Sequence, residues 1–113
     1  MRTLTNLESV VIPKADAPAV NTAAVITLAA DASTRHVVDK VFGGYDATPT
    51  GGLLTIALTV LGSAVSLVVP LPVAEPFDLD FIAPLQGDLN TAITLTLAAG
   101  GNAVTGKLNA LTR

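Results

Sequence analysis

The sequence contains no cysteine and no tryptophan, and its only aromatic residues are three phenylalanines and one tyrosine among 113 residues. Without cysteine the chain can form neither a disulfide framework nor a thiolate zinc site, and it has no thiol nucleophile. Because aromatic side chains are scarce, the interior must be filled by Val, Leu, Ile and Ala. Half of the chain is hydrophobic, which predicts one small domain with a thin aliphatic core.

Charged residues are also scarce, at 13% of the chain against about 25% in ordinary soluble proteins. Nine acids and six bases give a net charge of −3, and residues 41–106 contain no lysine or arginine. The chain therefore has no basic patch that could neutralise a phosphate backbone, and we expect no binding to nucleic acid. The high hydrophobic content excludes an intrinsically disordered chain.

The longest uncharged segment, residues 47–74, has 28 residues and as a helix would be long enough to cross a bilayer. It is rich in Thr and Val, contains Gly62-Ser63 near its middle, and has no lysine or arginine at its ends. These features favour two strands joined by a turn at Gly62-Ser63 over a membrane helix. The N-terminus has no apolar signal core, so we expect no membrane association and a cytoplasmic site of synthesis.

Apolar and polar residues alternate with period two along nearly the whole chain, and no segment shows the helical period of 3.6. Clusters of turn-forming residues separate the alternating runs at spacings of about 8 to 12 residues, which is typical of sandwiches and barrels. The predicted strands lie near residues 10–12, 24–30, 37–42, 54–60, 65–69, 77–81, 93–97 and 104–111. The sequence thus predicts an all-β fold, an eight-stranded antiparallel β-sandwich and most simply a jelly roll.

The first 19 residues differ from the rest because Pro13 and Pro18 bracket a short segment. Proline favours extended backbone and offers no N–H to a central ladder. We therefore predict an extended N-terminal arm or edge segment at residues 1–19, ahead of a sandwich domain at residues 20–113; a partly ordered terminus is the alternative. Such arms add to a neighbour's sheet edge. The candidate partner-binding residues of the arm are Leu4, Leu7, Val10, Val11 and Ile12.

Two segments of the chain are similar, NTAAVITLAAD at residues 21–31 and NTAITLTLAAG at residues 90–100. Both have a turn-forming asparagine followed by a strand, so turn chemistry and alternation explain the similarity without a duplication. The alternative is that the two strands occupy equivalent places in the two sheets.

Several predicted strands are apolar on both faces, as at Leu53 and Leu54 or at Leu67 and Val68. Strands of this kind are normally covered on both faces, and soluble monomers rarely expose large apolar patches. We therefore expect a homo-oligomer, or a subunit held on a larger assembly.

Residues that could carry out chemistry are few. His36 is the only histidine, and its expected role is that of a hydrogen-bonded residue at the start of a strand. Asp78 and Asp80 lie on one face of a predicted strand and could face a hard cation, but a solvent-exposed face explains them more simply. The glycine pairs at 43–44, 51–52 and 100–101 are assigned to turns. No catalytic, cofactor-binding or metal site is predicted, and we expect no enzyme.

Three segments carry a resemblance to a known family: NTAAVITLAAD, RHVVDKVFGGYDATPTGGLLTIAL and NTAITLTLAAGGNAVTGKLNAL. Over about residues 20–111 the chain resembles small virion structural proteins of tailed bacteriophages and prophages. The resemblance implies a capsid decoration or cement protein, often a trimer, seated on the lattice of the major capsid protein at the virion surface. The matching motifs are turns and strand ends, so no catalytic residue is transferred to this chain.

Other functions remain open at this point. A head-fibre or tail-associated subunit would have the same sequence features. A jelly-roll module that binds glycans is the alternative of a different class, and Tyr45 is the only aromatic residue predicted in a loop that could serve it.

Overall fold

The computed structural model describes residues 11–113, and within them every regular element is a β-strand. The strands are β1 (Ile12–Asp16), β2 (Ala24–Leu28), β3 (Val37–Tyr45), β4 (Leu53–Val60), β5 (Ser63–Pro70), β6 (Phe77–Gln86), β7 (Ile93–Leu97) and β8 (Gly106–Thr112). The prediction of eight strands in an all-β sandwich is confirmed.

The strands form two four-stranded sheets, with the order β1-β8-β3-β6 in the first sheet and β2-β7-β4-β5 in the second sheet. All neighbouring strands are antiparallel. The first strand pairs with the last, the second with the seventh, the third with the sixth and the fourth with the fifth. This pairing is that of a jelly roll, in which one long hairpin is folded into two sheets.

The core lies between the two sheets and is formed by every second residue of the strands, as the alternation predicts. Its members are aliphatic apart from one tyrosine: Ala24, Ile26, Leu28, Val38, Val41, Tyr45, Leu54, Ile56, Leu58, Ile93, Leu95, Leu97, Val104, Leu108 and Ala110. Toward the edge formed by β5 and β6 the inward side chains are only partly buried. The inward side chains are therefore more completely buried on β7 and β8 than on β5 and β6.

The pairing of β3 with β6 is interrupted by an irregularity. Val38 pairs with Leu85 and Lys40 pairs with Asp80, so residues 81–84 of β6 have only one residue of β3 opposite them. Pro84 falls in this bulge, where its missing N–H removes no ladder hydrogen bond. The side chain of Ile82 is fully exposed there, so the outer edge of β6 is not a regular strand edge.

The uncharged segment at residues 47–74 forms a turn cluster and the β4–β5 hairpin. No helix that could span a bilayer occurs in the part of the chain that the structure describes. The prediction of two strands is confirmed, but the predicted turn at Gly62-Ser63 is wrong by one residue. Ser63 pairs with Val60, and the turn consists of Leu61 and Gly62, with φ values of 51° and 79°. Two positive φ values are those of a type I′ turn, whose twist matches that of the flanking strands.

The two similar segments lie side by side in the second sheet. β2 pairs with β7 in an antiparallel register that joins Ala24 to Leu97 and Leu28 to Ile93. The alternative that placed them in different sheets is therefore wrong. Asn21 and Asn90 both have positive φ, at 55° and 59°, so each segment uses asparagine in a left-handed turn before its strand, as turn chemistry predicts.

Asp88, in the loop between β6 and β7, holds the β4–β5 turn. Its Oδ1 accepts a hydrogen bond from the N–H of Leu61 at 2.9 Å, and its Oδ2 accepts one from Gly62 at 2.8 Å. These bonds, first that from Gly62, lower the pKa of Asp88 below its ordinary value of 3.8. A carboxylate whose pKa is lowered by folding stabilises the fold above its unfolded pKa, and this contribution is lost as the pH falls through the folded value.

We expect Asp88→Asn to lower the melting temperature by a few degrees at pH 7, because an amide nitrogen cannot accept the second N–H. The difference from the wild type should shrink as the pH is lowered below about 4, where the wild-type carboxylate itself becomes protonated. Thermal unfolding followed by circular dichroism between pH 2 and 7 measures both. Asp80→Asn is the control, because Asp80 is exposed on β6 and its replacement should leave the melting temperature at pH 7 unchanged. Equal melting temperatures for the wild type and Asp88→Asn at pH 7 would contradict this role.

Candidate functional site

Charge is divided between the two sheets. The strands of the second sheet contain no acidic or basic residue. The strands of the first sheet carry all seven that occur within strands of the described chain: Lys14, Asp16, Asp39, Lys40, Asp78, Asp80 and Lys107. The sandwich therefore has one charged outer surface and one uncharged outer surface.

The uncharged surface is built of two cross-strand rows, which we call the neutral face. One row is Val25, Thr96, Thr55 and Val68, and the other is Thr27, Thr94, Ala57 and Ser66. These residues alternate along their strands with core residues, so they point away from the core. The prediction that β4 is apolar on both faces needs correction, because its outward residues are mainly threonine and alanine. The face presents methyl and hydroxyl groups together.

Two ion pairs lie on the first sheet. Lys40 Nζ lies 3.1 Å from Asp78 Oδ2. Arg113 donates from Nε and Nη2 to the two carboxylate oxygens of Asp39, at 2.9 and 2.8 Å. This hydrogen-bonded carboxylate raises the pKa of Arg113. The bidentate pair fastens the end of β8 to β3, where Arg113 and Val37 also exchange main-chain hydrogen bonds.

Two of the five predicted partner-binding residues lie in the described chain. Val11 and Ile12 are 43% and 49% exposed, and Ile12 begins β1 opposite Thr112 of the same chain. The predicted arm thus contributes an edge strand to its own sandwich. Leu4, Leu7 and Val10 lie outside the described residues. Ile12 lines a hollow of about 400 Å³ together with Lys14, His36 and Arg113.

His36, Asp78 and Asp80 have contacts or positions that are explained by the fold alone. His36 Nε2 lies 2.6 Å from the carbonyl oxygen of Ala29, which makes it a donor to that oxygen just before β3 begins. Asp78 and Asp80 lie on the outer face of β6 as expected, and Asp78 faces Lys40. Within residues 11–113, no group of three or more His, Asp or Glu side chains comes close enough together to hold a metal ion.

Tyr45 is not a loop residue, which corrects the sequence interpretation. It ends β3, its side chain is buried, and its hydroxyl donates to the carbonyl oxygen of Ala98 at 2.6 Å. Burial raises the pKa of this hydroxyl. The ring fills space left by glycine, since a Cβ at Gly100 or Gly106 would lie 2.9 to 3.3 Å from its carbons. A ring packed in this way cannot stack on a sugar.

A groove of about 660 Å³ crosses the outer surface of the first sheet. It lies over Gly43 and Gly44, which belong to β3 and not to a turn as the sequence suggested. Its lining includes the ring of Phe42, the amide of Asn109 and three charged residues, Asp46, Asp78 and Lys107. Some of these groups are already engaged: Asp46 accepts from Thr105 N–H at 2.8 Å, and Lys40 Nζ lies 5.6 Å from the Phe42 ring centre.

The neutral face was missed at the sequence level, although its signal is present there. The four segments that form the second sheet are each free of charge in the printed sequence. Only the jelly-roll pairing shows that they are neighbours.

No protein-family model matches the chain, and no curated protein gives a significant match to it.

Proposed function

We propose that this chain is a non-enzymatic structural protein of a tailed-phage virion, a capsid decoration or cement protein that binds and stabilises the lattice of the major capsid protein. The observation that carries the proposal is the neutral face, because an entire sheet surface without charge suits a protein interface. The sequence resemblance to virion structural proteins and the jelly-roll architecture support the same function.

The neutral face favours binding for a physical reason. Charged side chains are costly to bury in an interface unless they are paired, and the centres of protein interfaces are depleted in charged residues. The two rows of the neutral face contain no such group, and Val25 and Val68 on them are 42% and 57% exposed. Covering these methyl groups stabilises a complex by about 25 cal/mol for each Å² removed from water.

The proposed partners are the major capsid protein and other copies of this chain. Uncharged contact through the neutral face is supplemented by the predicted arm residues Leu4, Leu7, Val10, Val11 and Ile12. Synthesis in the host cytoplasm and assembly on the capsid surface complete the proposal. The resemblance favours a trimer as the oligomer.

The test compares two lysine variants that place the same charge at the centre of opposite sheet surfaces. Thr96 lies on β7 in the neutral face, and Asn109 lies outward on β8 in the first sheet. We expect Thr96→Lys to weaken co-sedimentation with particles of the major capsid protein at least about tenfold, and Asn109→Lys to bind like the wild type.

Salt and the arm provide two further readouts of the same assay. In about 0.5 M salt the Debye length is about 4 to 5 Å, and wild-type binding should persist because the contact is uncharged. A chain starting at residue 11 retains β1 and lacks three predicted arm contacts, so it should bind the particles more weakly than the wild type. Equal binding of Thr96→Lys and Asn109→Lys, or removal of the wild type by salt alone, would contradict the proposal.

The groove over Gly43 and Gly44 favours glycan binding as a second candidate function. Its volume is within the range of small-molecule sites, and an aromatic ring beside amide and carboxylate groups is suited to a sugar. A glycan array probed with the wild type and Phe42→Ala separates the two functions. Glycan binding that Phe42→Ala abolishes, with no capsid binding, would favour the module over the decoration protein.

A head-fibre or tail-associated subunit is the remaining alternative, and it differs only in location. Electron microscopy of native virions carrying labelled protein distinguishes a uniform capsid coat from label at the fibre or tail.

A further inference from the structure

Four strands form the edges of the two sheets, and three of them are protected against pairing with another chain. Edge strands are commonly protected by proline, charge, bulges or short length. β1 has five residues and contains Pro13 and Lys14. β6 has its bulge, Pro84, Asp78 and Asp80.

β2 is protected by a side chain. It has only five residues, and the carboxylate of Asp16 accepts the N–H of Val25 at 2.7 Å. Main-chain groups of successive residues in a strand point to opposite sides. Because the N–H of Val25 is bonded to Asp16, it points away from β7, and the alternate residues of β2 form the hydrogen bonds to β7. The carboxylate therefore occupies a position that an added strand would need.

In the part of the chain that the structure describes, the fourth edge, β5, has no charge, bulge or internal proline along most of its length. Its eight residues, SAVSLVVP, include no charge, and their pairing with β4 is continuous from Ser63 to Pro70 without a bulge. Its one proline is the last residue of the strand. A long, regular, uncharged apolar edge is the type that pairs with another strand.

The turn geometry identifies which main-chain groups of β5 have no partner within residues 11–113. Val60 and Ser63 flank a two-residue turn and form a hydrogen-bonded pair, so the odd-numbered residues of β5 bond to β4. The hydrogen bond from Leu71 N–H to the Gly52 carbonyl, at 3.0 Å, continues this pattern. The N–H and C=O groups of Ala64, Ser66 and Val68 consequently point away from the sheet.

We propose that β5 pairs with β5 of a second copy of this chain, antiparallel about a two-fold axis at Ser66. In this register Ser66 lies opposite Ser66 of the other copy, and Ala64 lies opposite Val68. Every outward-pointing N–H in Ala64, Ser66 and Val68 then meets a carbonyl, which gives about six main-chain hydrogen bonds between the copies. The two second sheets become one eight-stranded sheet.

The side chains fit the same register. Residues opposite each other in an antiparallel pair point to the same face, so inward Val65 meets inward Leu67, and outward Ala64 meets outward Val68. Leu67 and Val68 are 39% and 57% exposed in the single chain, and pairing covers them. No charge repels at this edge, although the whole chain carries −3. These features select a second copy as the occupant, because the strand is complementary to itself.

This inference rests on the self-association in the proposed function. It makes the oligomer a two-fold dimer, in place of the trimer that the resemblance favours. Antiparallel self-pairing of one edge is isologous and closes after two copies. It does not depend on capsid binding, so a failure of one can be told from a failure of the other. The two neutral faces would be joined edge to edge into one larger uncharged surface.

The test uses matched proline variants at the two ends of one cross-strand row. Ser66 on β5 and Thr27 on β2 end the row that contains Thr94 and Ala57, and both N–H groups point to a sheet edge. Proline at such a position keeps the ladder of its own chain. We expect the wild type to have a mass of twice 11.4 kDa by light scattering at micromolar concentration, Ser66→Pro to have the mass of one chain, and Thr27→Pro to remain a dimer.

Two variants of opposite charge at Ser66 test the register. They also test the proposal if Ser66→Pro does not fold. Ser66→Lys and Ser66→Glu place like charges opposite each other at the axis, so each variant alone should dimerise at least about tenfold more weakly. An equimolar mixture should form a heterodimer by native mass spectrometry. A monomeric or trimeric wild type, an unchanged dimer in Ser66→Pro or Ser66→Lys, or dissociation of Thr27→Pro would each overturn the proposal.

Discussion

Replacing Gly43 with alanine should cost about 4 kcal/mol of folding free energy, a large part of the 5 to 15 kcal/mol that stabilises a typical domain. A Cβ built at Gly43 would lie 2.0 Å from the carbonyl oxygen of Lys107 and 3.3 Å from the Cα of Leu108. Both are main-chain atoms of β8, which is held between β1 and β3 and cannot move aside. The φ of Gly43, +154°, is also unfavourable for a residue with a side chain.

Gly51→Ala is the matched control for this variant. Gly51 also has positive φ, at +68°, but no atom lies within 4 Å of the Cβ position. Alanine there should cost only the conformational penalty of about 1 kcal/mol. Urea unfolding followed by circular dichroism measures both variants. If Gly43→Ala were within 1 kcal/mol of Gly51→Ala, the close approach of β3 to β8 would not be a constraint on the fold.

A chain that cannot pair through β5 should bind capsid particles about 10² to 10⁴ times more weakly than the wild type. A dimer on a symmetric lattice can make two contacts, and the second is intramolecular, which raises avidity by this factor. Ser66→Pro removes the second contact. Because Ser66→Pro and Thr27→Pro each replace one uncharged residue at an end of the same row of the neutral face, the comparison between them isolates the loss of pairing. Its binding curve on particles of the major capsid protein, compared with that of the wild type and Thr27→Pro, gives the ratio.

The controls separate the two proposals on which this prediction rests. Thr96→Lys should remain a dimer and lose capsid binding, whereas Ser66→Pro should become a monomer and lose avidity. A monomeric Ser66→Pro that binds particles as tightly as the wild type would show that pairing contributes nothing to attachment. If neither the wild type nor any variant bound particles, the capsid function would be wrong while the dimer could still be measured in solution.

Local patterns were sufficient to predict the strands and the jelly roll. Alternation identified β4 and β7 because each buries alternate residues, and β6 because alternate residues are partly buried. The scarcity of aromatics predicted the aliphatic core. Asn21 and Asn90 were recognised as turn formers for the same local reason. In each case the information lies within a few neighbouring residues.

Features that depend on distant contacts were not predictable. The turn at Leu61 and Gly62 was placed one residue late, because leucine rarely adopts positive φ and the carboxylate that holds this turn, on Asp88, is 26 residues away from Gly62. Gly43 looked like a turn residue, although it is required by the approach of β8. Tyr45 was assigned to a loop because Ala98, its hydrogen-bond acceptor, is 53 residues away.

The neutral face and the edge of β5 also depend on contacts between distant parts of the chain. Each is a property of strands brought together by the fold, and neither is visible until the order of strands in each sheet is known. The sequence did predict that apolar surface would need a partner. It did not show where this surface lies, which is on the outer side of the second sheet and along the edge of β5.

The pairing of the first strand with the last has a consequence for the order of folding. Thr112 donates to the carbonyl oxygen of Ile12 across 100 residues of chain, so the first sheet cannot be completed until β8 has left the ribosome. Among the eight strands, only β4 and β5 are both consecutive and paired, and such a hairpin forms in about 1 to 10 μs. All-β folds dominated by distant pairings complete folding in milliseconds to seconds. The edge that we assign to self-association therefore lies on the one hairpin made of consecutive strands, whose own pairing does not wait for the distant strands that complete the sandwich.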